Sequence, residues 1–165
     1  METNKFSIRL LVERDASRML EWLHDEEVTR YLNLVGKDST MDDVLRFIHD
    51  AKDETVNFHR AIVDDRDCYL GTVSLKNIDN IKKEAEYAIS LHQSAIGIGA
   101  ANVATRMITC IAFEELKLDR IYLYVMRSNV RAVKFYEKIG FKCTHFSKKT
   151  IKGKDEDLVW FEAVK

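Results

Sequence analysis

The chain switches between two hydrophobic periods, and the places where the period changes mark its elements. "FSIRLLV", Phe6 to Val12, has strand character. "DASRMLEWLHD" then sets Ala16, Met19, Leu20 and Leu23 on one helical face, with Asp15 placed as an N-cap. A second helix is predicted from Met41 to about Lys52, with Met41, Val44, Leu45 and Ile48 as its apolar stripe. Thr40 caps that helix and Asp43 sits in its first turn, where the positive helix end favours an acid. The period then shortens to two. "FHRAIVD" and "CYLGTVSL" read as strands joined by the turn "DDRD", Asp64 to Asp67. "AEYAISL", Ala85 to Leu91, is a third strand after a turn region from Asn77 to Lys83. Helical spacing returns behind "SAIGIGAANVATRM", where Val103, Met107, Ile111 and Leu116 fall on one side. "RIYLYVM", Arg120 to Met126, is a strand. "NVRAVKFYEKIG" is a short helix between a capping Asn129 and a terminating Gly140. "FKCTHFSKKTI" and "EDLVWFEAV" close the chain as a strand pair.

The order β-α-α-β-β-β-α-β-α-β-β predicts hairpins in the first half and a β-α-β crossover in the second. That combination gives a mixed sheet with helices packed on it, an α/β (α+β) fold. No linker, repeat or low-complexity run interrupts the 165 residues, so a single domain over 1–165 is expected. Proline is absent, so the turns fall to Asn, Asp and only 6 glycines, whose positions therefore carry information.

Charge changes the picture only by exclusion. Lys and Arg number 26 and Asp and Glu 27, a net −1, so no global field draws the chain to nucleic acid or anionic membrane. The Lys-rich "FSKKTIKGK", Phe146 to Lys154, reads as a protected strand edge. No apolar run approaches the ~20 residues that cross a bilayer. The N-terminus lacks the apolar core of a signal peptide. Cys68, Cys110 and Cys143 form no CxxC pair, so neither a disulfide framework nor a zinc site is suggested. The cytoplasm is the expected location.

Three features bear on chemistry. A strand that feeds a helix through Gly97-Ile98-Gly99 is either a bend or a cradle for an anion, held by free N–H groups and the helix dipole. The dinucleotide fingerprint is excluded because Asn102 replaces its third glycine. A phosphate-binding P-loop is excluded because no Gly-Lys-Ser/Thr follows. Tyr136 lies on the short helix either as a packed face residue or as a proton donor. Glu86 is an acid inside an apolar strand; it faces solvent, pairs with a base, or lines a cleft. His92 is a second candidate proton acceptor. No HExxH, no Ser-His-Asp pattern and no carboxylate cluster for a metal can be assembled from the sequence.

"IGIGAANVATRMI" and "NVRAVKFYEKIGF" together carry a resemblance to the GNAT superfamily of acyl-CoA-dependent N-acetyltransferases, over nearly the whole chain. The first resembles the family's Q/R-x-x-G-x-G/A pyrophosphate loop, with Ser94 in the Q/R position. The second resembles its N-x-x-A-x-x-x-Y-E-K-x-G-F signature. The resemblance implies a mixed, mostly antiparallel sheet splayed between its fourth and fifth strands, here Ala85–Leu91 and Arg120–Met126, flanked by about four helices. It implies acetyl-CoA as cosubstrate, no metal, and a primary amine that attacks the thioester directly. Carried over by position, Gly97 and Gly99 shape the loop, and the N–H groups of Ile98, Gly99, Ala100 and Ala101 hold the pyrophosphate. The backbone of Ile89 and Leu91 pairs with the pantetheine arm. Asn129 and Ala132 contact the cofactor, and Phe135 and Tyr136 lie near the thioester. A backbone N–H of the fourth strand polarises the carbonyl, Glu86 is the candidate base and Tyr136 the candidate acid.

The acceptor is an expectation of lower resolution. "YLGTVSLKNIDNIKKEAEYAISL" resembles a segment of members that acetylate nucleotide-linked amino sugars, and it also fits the branch acetylating ribosomal protein N-termini. A small-molecule amine such as a nucleotide-linked amino sugar is the first expectation, a protein N-terminus or a catalytically silent acyl-CoA-binding module the alternatives, and a homodimer stays open.

Overall fold

The computed structural model describes residues 5–32 and 36–165. Its elements run β1 (Phe6–Arg9), α1 (Ala16–His24), α2 (Glu26–Thr29), α3 (Met41–Asp50), β2 (Phe58–Asp64), β3 (Tyr69–Asp79), β4 (Glu84–Leu91), α4 (Ala100–Cys110), β5 (Arg120–Met126), α5 (Val130–Ile139), β6 (Lys142–Ile151) and β7 (Lys154–Val164). The strands form one sheet of 7 in the order β1-β2-β3-β4-β5-β7-β6. Every neighbouring pair is antiparallel except β4 with β5. The mixed, mostly antiparallel α/β fold expected from the sequence is the fold observed. One short helix, α2, joins the four predicted from hydrophobic period.

Local chemistry explains most boundaries. Thr40 Oγ1 accepts from the Asp43 N–H at 3.2 Å while the Asp43 carboxylate accepts from the Thr40 N–H at 2.9 Å, a reciprocal cap that starts α3 where the sequence places it. At α1 the expectation is corrected. Asp15 makes no side-chain cap. Its buried carboxylate accepts from Arg9 at 2.8 and 2.9 Å and from the Val12 N–H at 2.9 Å. That pull ends β1 at Arg9, short of the predicted Val12. Helix α4 runs into a π turn over Ile111–Glu115, closed by Leu116 N–H to Ile111 O at 2.9 Å.

Alternate residues of the central strands face two helical layers. Helices α4 and α5 seal one face over Leu75, Ala85, Tyr87, Ile121 and Phe161. Helices α1 and α3 cover the other over Ala61 and Val63, with Met19, Trp22, Val44 and Ile48 from the helices. β6 is one of the two sheet edges, and its Lys148 and Lys149 are exposed, as the edge reading requires.

Candidate active site

β4 and β5 run side by side for only three register pairs, Glu84 with Arg120, Ala85 with Ile121 and Glu86 with Tyr122. Beyond that point β4 stays with β3 as far as Leu91 opposite Gly71, and β5 stays with β7 as far as Met126 opposite Leu158. The two strands part because each keeps its outer partner. A gap of about 430 Å³ opens between them, lined by Glu86 and Ala88 of β4, Leu123 and Tyr124 of β5, and Ala132 and Tyr136 of α5. The His92 N–H donates to the Leu70 carbonyl at 2.8 Å. Bonded and non-bonded residues alternate in an antiparallel ladder, so Ser90, Ala88 and Glu86 bond to β3. The backbone groups of Ile89 and Leu91 therefore face the gap.

The chain leaves β4 and enters α4 through Gly97 at φ 80° and Gly99 at φ 90°. A Cβ at either position meets nothing within 4 Å, so the left-handed backbone, and not crowding, selects glycine. The loop borders open space. Among the described residues, no acceptor meets the backbone N–H groups from Gly97 to Asn102. These are the orphan donors of a helix N-terminus, and they suit an anion. Fully buried Ala100 and Ala104 let α4 sit close on the sheet. A groove of about 690 Å³ runs from Ile89 and Leu91 past Ile96 to Asn129 and Arg131. Ser94 turns away from this groove: its hydroxyl accepts from Arg18 at 3.0 Å and lies 2.8 Å from His92 Nδ1. His92 Nε2 is 2.6 Å from the Glu21 carboxylate. Both side chains are thereby tied to α1, and His92 is occupied as a candidate proton acceptor.

Tyr136 is positioned by the two ends of α5. Asn129 Oδ1 accepts from the Ala132 N–H at 3.2 Å and starts the helix, leaving its side-chain NH₂ unspent in that cap. Gly140 at φ 101° stops it, and the Phe141 N–H returns to the Tyr136 carbonyl at 3.0 Å. The Tyr136 ring sits among Tyr87, Phe135, Phe141 and Phe161, with centroids 5.2–5.9 Å away. Phe135 backs the ring and is not among the residues lining the gap. Burial, then the neighbouring Tyr87, holds the Tyr136 phenol well above its ordinary range. Tyr87 Oη lies 2.7 Å from Thr105 Oγ1, which donates to the Ala101 carbonyl at 2.6 Å. A polar chain thus links the tyrosine cluster to the first turn of α4.

Glu86 lines the same gap from the opposite face of β4. One carboxylate oxygen lies 3.6 Å from Lys76 Nζ, and the other accepts from Asn77 Nδ2 at 3.1 Å. Lys76 is directly across the ladder from Glu86. On this face the polar residues Thr72, Ser74 and Lys76 of β3 form a stripe. With Trp22 and Met19 of α1 and Val44 and Phe47 of α3 they enclose a cavity of about 330 Å³ that reaches Ala88, Ile89 and Ser90 of β4. His59 of β2 forms part of its floor, with Nδ1 2.6 Å from Ser74 Oγ. Burial first, then Lys76 and Arg60, pushes the His59 imidazole down to about 4.

The structure thus brings Glu86, Ile89, Ala132 and Tyr136 to one gap, Leu91 and Asn129 to the adjoining groove, and the Gly97–Ala101 loop to the end of β4. Sequence reasoning missed Lys76, His59 and the cavity between α1, α3 and the sheet. Their signal was the alternation in "GTVSLK", where polar residues hold every second position of a strand that is buried on both faces. Among the described residues, no His, Cys, Asp or Glu cluster could hold a metal ion, and no helix is long and apolar enough to cross a membrane.

Comparison with known proteins converges on one family. The profile of the acetyltransferase (GNAT) domain matches residues 5–142. The chain is 27% identical over 143 residues to the uncharacterized N-acetyltransferase p20 of Bacillus licheniformis, covering 85% of this chain and 80% of that protein. It is 26% identical over 168 aligned residues to the putative ribosomal N-acetyltransferase YdaF of Bacillus subtilis, covering 96% and 91%. The fold matches the crystal structure of spermidine N-acetyltransferase from Vibrio cholerae in complex with CoA and spermine, with a TM-score of 0.88 at 21% identity, over 98% of this chain and 96% of that one.

Proposed function

The chain belongs to the GNAT acetyltransferase family, and on that premise we propose that it moves an acetyl group from acetyl-CoA to the primary amine of a small molecule by direct attack, with Glu86 as base and Tyr136 as acid. The observation that carries this reading is the meeting of Glu86 and Tyr136, distant in sequence, at one gap where β4 and β5 part.

Acetyl-CoA supplies a thioester-activated acetyl group. The residues present suit it. The unpaired N–H groups of Ile98, Gly99, Ala100 and Ala101 hold its pyrophosphate, and the N-terminus of α4 adds roughly half a positive charge. The backbone of Ile89 and Leu91 takes the pantetheine arm as an added strand. Asn129 reaches it through its side-chain NH₂, because the oxygen is spent on the cap. Ala132 keeps the α5 side of the gap low, and Phe135 fixes the Tyr136 ring from behind.

An alkylamine is mostly protonated at neutral pH, with a pKa near about 10, so one proton leaves before attack. Glu86 takes it, through a water where the amine does not reach the carboxylate. The nitrogen forms its bond to the carbonyl carbon as a strand N–H polarises the oxygen. Tyr136 gives its proton to the sulfur as the carbon–sulfur bond breaks, and the nitrogen's second proton passes through water to the phenolate left behind, so the products are a neutral amide and a free thiol. Burial raises the phenol, so it carries its proton at neutral pH and has one to give.

The test is release of free thiol from acetyl-CoA, with mass spectrometry of the amine, over a panel of monoamines, amino-sugar nucleotides, spermidine and N-terminal peptides. Amine-dependent release with a product heavier by one acetyl group supports the reading. Saturable acetyl-CoA binding without turnover on any amine overturns it in favour of a silent acyl-CoA-binding module.

A further inference from the structure

We propose that the cavity between α1, α3 and the sheet receives the non-reacting body of the acceptor, and that this body is apolar and uncharged: the substrate is a small monoamine carrying an aromatic or branched aliphatic group. The inference rests on the acetyl-transfer reading and gives it a substrate class.

Position is the first argument. The cavity and the gap that holds Glu86 and Tyr136 share Lys76, Ala88, Ile89 and Ser90. A body lodged in the cavity therefore leaves its amine at the gap, beside β4. Size is the second. A cavity of about 330 Å³ lies at the small end of ligand sites, which run from about 300 to 1,000 Å³. It suits one ring or one branched chain. Its walls are Trp22, Met19, Val44 and Phe47.

Charge is the third argument, and it selects against the alternatives. Among the described residues the cavity holds one carboxylate, Asp43, at the rim. That carboxylate is engaged by Thr40 N–H and Oγ1, both at 2.9 Å, and faces Arg46 at 3.8 Å. The end shared with the gap holds a cation, the partly exposed Lys76. Glu86 beyond it is already faced by Lys76 and Asn77. A polyamine would bring a second ammonium into an apolar space with no free carboxylate to meet it, which is costly. A nucleotide-linked sugar would bring a diphosphate to a site whose one cation is paired. The buried polar atoms are largely paired too: Trp22 Nε1 donates to Tyr69 Oη at 3.0 Å, and Ser74 meets His59 at 2.6 Å. Apolar surface is what the cavity offers a ligand.

The protein contains two tryptophans, and only Trp22 lines the cavity, so a Trp160→Phe background makes Trp22 the reporter. With CoA present, 2-phenylethylamine should change Trp22 fluorescence saturably, and spermidine should not at tenfold higher concentration. In turnover, 2-phenylethylamine should exceed spermidine at least tenfold in kcat/KM. Phe47→Ala, a half-open rim position whose loss leaves the core intact, should raise the KM for 2-phenylethylamine about tenfold while kcat and the KM for acetyl-CoA stay within twofold. The proposal is overturned if spermidine saturates the Trp22 signal first, if Phe47→Ala leaves the amine KM unchanged, or if only peptides are acetylated. Thiol release without a Trp22 response sinks the cavity assignment and keeps acetyl transfer. A saturable Trp22 response without thiol release does the reverse.

Discussion

The two faces of β4 are built from alternate residues of one strand, yet they do opposite things. Toward α4 and α5, Ala85 and Tyr87 are buried in a continuous apolar core, with Tyr87 reaching the wall of the gap. Toward α1 and α3, Glu86, Ala88 and Ser90 border open volume. In the proposed reaction the sealed face carries the loop and tyrosine of the cofactor side. In the same proposal the hollow face carries the carboxylate and the cavity of the acceptor side. A strand with a period of two can separate the two halves of a group transfer in this way, because neighbouring residues point to opposite sides. In that proposal the two halves have different needs. A nucleotide arm is held by backbone and by a helix end, which need glycines and a close fit. An acceptor is chosen by side chains, which need room.

The sharpest way to break this division is at the sealed face. Gly99 sits at φ 90°, a conformation a β-branched residue pays heavily to adopt. Gly99→Val should weaken acetyl-CoA binding by about 100-fold or more in titration calorimetry, or abolish it. Measured without CoA, the Trp22 response to a monoamine should be the same in variant and wild type, since that response belongs to the other face. Normal acetyl-CoA binding by the variant would make the loop a bend and nothing more.

A smaller effect is expected at the boundary between the faces. Tyr136→Phe removes one hydroxyl from a ring otherwise fixed by Tyr87, Phe135, Phe141 and Phe161. Turnover should fall by about 10²-fold with acetyl-CoA affinity unchanged. If a pre-steady-state burst shows fast chemistry and slow release, the burst rate is the quantity to compare. An unchanged burst rate removes the acid role.

Glu86→Gln probes the hollow face. The kcat/KM for the amine should fall about 10–10²-fold at neutral pH. The deficit should shrink as pH rises toward the pKa of the amine, because the free base no longer needs a proton acceptor. A deficit that is constant with pH would mean that Glu86 positions the acceptor, through Lys76 and Asn77, without taking its proton.

The sealed face was the more legible in the sequence. Asn129, Tyr136 and Gly140 are fixed by local chemistry: a cap, a helix face, and a left-handed stop. Their spacing survives as a string of letters. The glycine loop likewise signals itself by needing positive φ at two positions. The hollow face is assembled from α1, α3, β2, β3 and β4, and no local string records that meeting. Even its visible hints point elsewhere at first reading. Asp15 resembles a cap and is instead the buried partner of Arg9. His92 resembles a base and is bound to Glu21 and Ser94. Only the polar alternation Thr72, Ser74, Lys76 marks the cavity wall, and alternation alone gives a face without saying what covers it.

The last effect expected is on stability, and it tests whether the hollow face is dry. His59 is held neutral in the fold, its imidazole pushed down to about 4 by burial and by the nearby cations Lys76 and Arg60. An unfolded histidine titrates near about 6.5. Above that pH both states are neutral, and the stability tied to His59 is fully present. As pH falls, the unfolded chain takes up its proton first, so stability is lost progressively from about 6.5 down to the folded value near 4. The loss by pH 4 should be no more than about 3 kcal/mol, read from urea midpoints. His59→Gln should flatten the pH dependence in that window, leaving the slope due to carboxylates. A wild type and variant with the same slope would mean that water reaches the imidazole through the cavity. An apolar monoamine should then restore the difference by displacing that water, and its failure to do so would place the acceptor elsewhere on this face.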